Sequence, residues 1–123
     1  MENNGKDCIF CKNFREKKLK IIFETDNSLL FLDRNPISKW HCLLIPKVHY
    51  NNIFDCDKKV LSYLFLDLKF FLEKYKIELK FDSINDLNAS WVNSQQSINH
   101  LHFHIIPRYE NDWLDLWVKN NNS

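Results

Sequence analysis

Three of the five histidines fall in one short run, His100-Leu101-His102-Phe103-His104-Ile105-Ile106-Pro107. Strict alternation of polar and apolar residues marks a β-strand with one buried face, because side chains on a strand project alternately to its two faces. The run predicts a strand over Leu101–Ile106, closed by Pro107, with His100, His102 and His104 on one face. Leu101, Phe103 and Ile105 then face a core on the other side. Three aligned imidazoles are costly to place unless something uses them, either to bind metal or to supply a nucleophile and move protons. The segment therefore requires a sheet with a packed back and a chemically active front.

The rest of the chain supplies the other parts of such a sheet. Lys20–Thr25 and Ser28–Asp33 are β-rich runs separated by Asp26-Asn27, a hairpin signal. Asn35-Pro36 marks a turn, and His41–Ile45 is a short apolar strand expected to stop at Pro46. Asp55 or Asp57 can cap a helix running to about Lys76, with Val60, Leu61, Leu64, Leu68, Phe71, Leu72 and Tyr75 at helical spacing. The same helix carries Phe65, Leu66 and Phe70, a stripe wider than one sheet face requires. Deep burial and a subunit contact explain that width equally. A further strand is expected within Asp86–Val92, followed by an Asn-, Ser- and Gln-rich loop at Asn93–Asn99. Residues 12–20 are basic and polar and read as loop, and the tail Arg108–Trp117 ends in aromatics, with 118–123 expected to fray. With no internal repeat or linker, residues 1–123 predict one α+β domain built on an antiparallel sheet with one main helix.

Composition narrows the function. A length of 123 residues suits one domain with its own core. Seventeen Lys+Arg against 16 Asp+Glu leave a net charge of +1, which argues against binding nucleic acid or acidic membranes by bulk electrostatics. No apolar run approaches the roughly 20 residues of a membrane span, and MENNGKDC offers no signal-peptide core. A soluble, cytoplasmic protein is the expectation. The chain has a single glycine, Gly5, so any motif built on glycine is expected to look altered.

Cys8 and Cys11 form a CxxC, while Cys42 and Cys56 stand alone. In a reducing compartment a CxxC is usually half a zinc site or a redox pair. Redox pairs open a helix after a buried strand, and no strand pattern precedes Cys8. Zinc is favoured, and it needs two more ligands.

HLHFHII resembles the signature of the histidine triad (HIT) family, three histidines alternating with apolar residues. CIFC, FLDRNPISKWH, LLIPKVH and HLHFHIIPRY look like further landmarks of that family in its order, over about 100 residues. The resemblance implies a HIT-like fold, a five-stranded antiparallel sheet with one main helix that dimerises. It also implies a nucleotidyl hydrolase or transferase acting at the α-phosphate of a purine nucleotide, adenine nucleotides foremost. His102 matches the family's nucleophile, which forms a nucleotidyl-histidine that water resolves. A neutral imidazole is a good nucleophile near pH 7 when a second-shell acceptor fixes its tautomer.

By the same resemblance His104 contacts phosphate oxygens and helps the leaving group, and His41 stands beside the triad as a further hydrogen-bond donor. Asp33, eight residues before His41, matches the residue that holds the ribose hydroxyls. Ile22, Phe23 and Phe31 are candidates to wall the base. Gln95-Gln96-Ser97 stands where the family has Gly-Gln-Ser/Thr, which makes Gln96 the amide and Ser97 the hydroxyl of a phosphate loop. A more distant Asn or Gln matches either Asn88 or Asn93. Trp40 likewise replaces a glycine before the upstream histidine. In the CxxC-bearing branches zinc is held by positions matching Cys8, Cys11, His49 and His100, a closed Cys₂His₂ set and hence structural. The PRY segment and following aromatics resemble diadenosine-polyphosphate hydrolases, with Trp113 or Trp117 as stacking candidates. The expected function is hydrolysis of dinucleoside polyphosphates or related AMP conjugates. A purine nucleoside phosphoramidase and a non-catalytic nucleotide-binding module are the alternatives.

Overall fold

A computed structural model describes residues 7–119; the last four residues of the expected frayed end lie outside them. In chain order the elements are α1 (Ile9–Arg15), β1 (Ile21–Glu24), β2 (Ser28–Leu32), β3 (Cys42–Pro46), α2 (Lys58–Leu79), β4 (Ser83–Leu87), a 3₁₀ turn at Val92–Ser94, and β5 (Phe103–Arg108). The strands form one sheet in the order β1-β2-β3-β5-β4, and every adjacent pair is antiparallel. This is the expected α+β architecture, a five-stranded antiparallel sheet with one main helix.

Asp57 caps α2, its carboxylate accepting from the Lys59 and Val60 amides, and Lys80 ends the helix with φ 58°. Leu64, Leu68 and Phe71 of α2 pack on one sheet face, against Leu30, Leu44, Leu101, Phe103 and Ile105. Asp67 ties the helix to the β1–β2 turn by accepting from Thr25 Oγ1 at 2.8 Å and Ser28 Oγ at 2.6 Å. The width of the apolar stripe is not used up in this core, because Leu66, Phe70 and Ile77 remain exposed. On the other sheet face Leu29, Phe31, Leu43 and Ile45 pack with Phe10 of α1.

Several boundaries differ from the sequence reading: α2 runs on to Leu79 and β5 starts only at Phe103. Residues 12–20 are not all loop, because α1 runs through Arg15. Cys8 Sγ accepts from the Cys11 amide and caps this helix. The fourth strand starts at Ser83 and ends at Leu87, so most of Asp86–Val92 lies beyond it. Pro46 ends β3 as expected, but Pro107 does not end β5 and lies inside it. The Pro107 carbonyl accepts from Ser38 Oγ, beyond the end of β3, so the ring nitrogen on that same side meets no ladder acceptor. Pro46 behaves alike: its carbonyl accepts from His100 Nε2, on the side where β5 has not yet begun. A proline is tolerated where its missing N–H faces no neighbouring strand.

Candidate active site

The histidines share one face as the alternation requires. Leu101, Phe103 and Ile105 are buried against α2, while His102 and His104 line a cavity of about 760 Å³ on the opposite face. Asp33, Ser97, Phe31, Leu43 and the α1 residues Ile9 and Phe10 also line it. Phe10 stands edge-on to His102 with ring centroids 5.4 Å apart, and edge-on to Phe31 at the same separation.

Neighbouring backbone groups dictate the tautomers. His102 Nδ1 lies 2.8 Å from the His100 carbonyl, which can only accept, so Nδ1 carries the proton and Nε2 keeps a free lone pair. His41 is the reverse case. The Ile37 amide donates to its Nδ1 at 3.1 Å, so Nε2 carries the proton and donates to His104 Nδ1 at 2.9 Å. His104 Nδ1 is thereby an acceptor, and its Nε2 holds the remaining proton. The Asp33 carboxylate lies 3.4 Å from His41 Nε2 and 3.8 Å from His104 Nδ1. Burial pushes His41, His102 and His104 below the usual imidazole range, and the Asp33 charge opposes this only in part. The site therefore presents one bare nitrogen, on His102, beside an N–H donor on His104.

Two groups of side chains are close enough to consider for a metal: Cys8, Cys11, His49 and His100, and separately Asp33, His41 and His104. In the first, His100 Nδ1 lies 3.4 Å from Cys8 Sγ and 3.5 Å from Cys11 Sγ, and His49 Nδ1 lies 3.5 Å from Cys11 Sγ. A tetrahedral ion with bonds of about 2.3 Å to sulfur and 2.0–2.1 Å to nitrogen has S···N edges of roughly 3.6 Å. The second nitrogens are already fixed, His100 Nε2 on the Pro46 carbonyl at 3.0 Å and His49 Nε2 on Asn51 Oδ1 at 3.1 Å. Both Nδ1 atoms are thus bare and converge on the two sulfurs, so this group fits a four-coordinate metal. Without one, burial first and Cys8 second push the Cys11 thiol up to about 12. The second group does not fit: with an amide donating to Nδ1, His41 Nε2 must keep its proton and cannot ligate.

The remaining candidates divide. Asp33 and Ser97 line the cavity. Gln96 does not: its amide is bound to Trp91, Asn51 and Ile98 of its own surroundings. Asn93 is exposed and does not line the cavity, while Asn88 Nδ2 donates to the His102 carbonyl at 2.9 Å. Of the proposed base walls only Phe31 is in place. Ile22 and Phe23 pack toward α2 because a bulge between Ile21 and Phe23 breaks the alternation of β1. Trp113 and Trp117 are exposed and away from the cavity. Sequence reasoning missed Ile9, Phe10 and Leu19 as walls, although Phe10 sits inside the CxxC. The two glycine replacements keep a glycine-like backbone: φ is 71° at Gln95 and 65° at Trp40.

The HIT domain family model matches residues 15–111. The chain belongs to the HIT family. An uncharacterized HIT-like protein of Methanocaldococcus jannaschii is 41% identical over 106 residues, 85% of this chain and 81% of the relative. Adenylylsulfatase HINT3 of Arabidopsis thaliana is 36% identical over 109 residues, and the match covers 88% of this chain but only 55% of that relative. Among solved structures, a HIT family protein from Bacillus anthracis superposes with a TM-score of 0.81 at 30% identity, over 95% of this chain and 85% of the other. Among the described residues, no helix is long and apolar enough to cross a membrane.

Proposed function

We propose that the protein is a nucleotidyl hydrolase that cleaves at the α-phosphate of adenine nucleotides through a nucleotidyl-histidine on His102. The observation that carries this is the His102 Nδ1–His100 carbonyl hydrogen bond, which leaves Nε2 unprotonated on the cavity side of the strand. Nε2 attacks phosphorus with its lone pair, a P–N bond forms, and the bond to the leaving group breaks. The polyphosphate departs as an anion, and His104 Nε2–H donates a hydrogen bond to it. Water then attacks the same phosphorus and loses a proton to solvent, the P–N bond breaks with its electrons returning to Nε2, and the nucleoside monophosphate departs. Asp33 accepts from the ribose hydroxyls, Ser97 donates to the phosphate, and Phe10 and Phe31 flank the base.

The leaving group is read from charge. Lys18, Lys20, Arg34 and Lys39 line the cavity, where Asp33 is the only acidic residue among the described residues. An anionic leaving group suits such a wall, which favours dinucleoside polyphosphates. A phosphoramidate is the second reading: its amine leaving group takes up a proton from solvent and His104 Nε2–H hydrogen-bonds the phosphate oxygens. Cys8, Cys11, His49 and His100 would hold zinc as a structural ion, and when bound it would pin α1 and the 46–50 segment to the catalytic strand. The exposed Leu66, Phe70 and Ile77 of α2 support a homodimer, each subunit one HIT domain.

The test is product analysis after incubation, in parallel, with diadenosine tetraphosphate and with an AMP–lysine phosphoramidate. Release of AMP and ATP from the first supports the polyphosphate reading; AMP from the second alone moves the assignment to a phosphoramidase. His102→Asn should bind AMP and turn over neither. Binding of AMP by the parent without cleavage of either substrate would refute the hydrolase and leave a nucleotide-binding module.

A further inference from the structure

Gln96 is half-buried in a stretch, 88–97, that is otherwise largely exposed, and all three polar positions of its side chain are used. Oε1 accepts from the Trp91 amide at 2.7 Å, and Nε2 donates to the Asn51 carbonyl at 2.6 Å and the Ile98 carbonyl at 2.9 Å. One N–H and two carbonyls surround the amide, so its orientation is dictated; turned over, Oε1 would face two acceptors. The backbone it grips is strained. Trp91 has φ 83° and ψ −180°, a region that glycine alone enters without penalty, and Gln95 has φ 71° and ψ 35°. Such conformations persist only where their surroundings over-determine them. Here the grip is supplied by Gln96, helped by Ser94 Oγ donating to the Ser90 and Trp91 carbonyls.

The strained stretch ends at Ser97, which lines the cavity with His102 and His104. The Ile98 carbonyl held by Gln96 also accepts from the His100 amide at 2.9 Å, so the same side chain fixes the approach to the catalytic run. The Asn51 contact ties both to the segment that carries His49. We propose that Gln96 is a positioning residue: it clamps 88–97 in the strained form that presents Ser97 to the α-phosphate. This rests on reading the cavity as a nucleotide site.

The test is a double-mutant cycle on the full chain, measuring kcat and KM for Gln96→Ala, Ser97→Ala and the pair. A clamp acting through Ser97 predicts that Gln96→Ala lowers kcat about tenfold or more with KM little changed, since a small misplacement suffices for such a loss. In the Ser97→Ala background the same change should cost less than about twofold. Relieving the strain should help, so Trp91→Gly in the Gln96→Ala background should recover part of kcat. Gln96→Glu, which keeps an acceptor for Trp91 but loses both donors, should repeat the pattern if the alanine variant folds poorly. Equal loss of kcat in both backgrounds, or full kcat in Ser97→Ala, would overturn the clamp. A parent that releases no AMP from either test substrate refutes the functional reading, and the clamp with it; an active parent with additive effects refutes the clamp alone.

Discussion

Supplying and withdrawing zinc tests whether the N-terminal cluster is a built site. The three observed S···N separations, 3.4, 3.5 and 3.5 Å, lie within about 0.2 Å of the tetrahedral edge, so binding needs almost no rearrangement. Little of the binding free energy is then lost to reorganisation, and most of it stabilises the fold. At free zinc a thousandfold above Kd, linkage adds about 4 kcal/mol. For a domain of this length each kcal/mol moves Tm by about 4 °C, so zinc-loaded and chelator-stripped protein should differ by about 15 °C. Cys11→Ser should abolish most of that difference and lower zinc content below one ion per chain. Differential scanning calorimetry in zinc buffers, with metal analysis on the same samples, measures both. A shift under about 3 °C, or full zinc retention in Cys11→Ser, would refute the reasoning.

Three further outcomes follow from the geometry. His41→Ala removes the N–H that fixes the tautomer of His104, and steady-state kinetics should show kcat down about a hundredfold with KM little changed; a loss under tenfold contradicts that role. Burial holds His102 and His104 below the usual imidazole range, and the nucleophile needs a bare Nε2. A pH–rate profile should thus stay flat as pH falls from 7 past about 6.5 and drop only at more acid values; half-loss at or above 6.5 would be inconsistent. Asp67→Ala strands the fully buried Ser28 hydroxyl and removes both hydrogen bonds to the β1–β2 turn, so urea denaturation should show a loss of about 2–3 kcal/mol, against about 1 kcal/mol for Ser28→Ala.

The part of the site written in residue types and alternation was legible. Period-two spacing was enough to set His102 and His104 on the cavity and Leu101, Phe103 and Ile105 behind them; the CxxC called for two more ligands, and the family resemblance supplied His49 and His100. What depended on direction was not legible. Pro107 reads as a strand end, yet whether its nitrogen faces a neighbour depends on where β3 begins. Ile22 and Phe23 looked like base walls, yet a bulge turned both toward α2. Gln96 has the right chemistry for phosphate, and only the structure shows its amide bound within its own surroundings. α1 is seven residues long, too short for a periodic signal, and it is set by the cap on Cys8.

The most direct test of the central claim is to trap the intermediate. The protein is mixed with diadenosine tetraphosphate labelled at the α-phosphate, quenched within the first turnover, and digested for mass spectrometry. A nucleotidyl group on the peptide containing His102, acid-labile and absent in His102→Asn, is the predicted result. Turnover with no adduct at any time point, or an adduct on His104 or His41 instead, would contradict it.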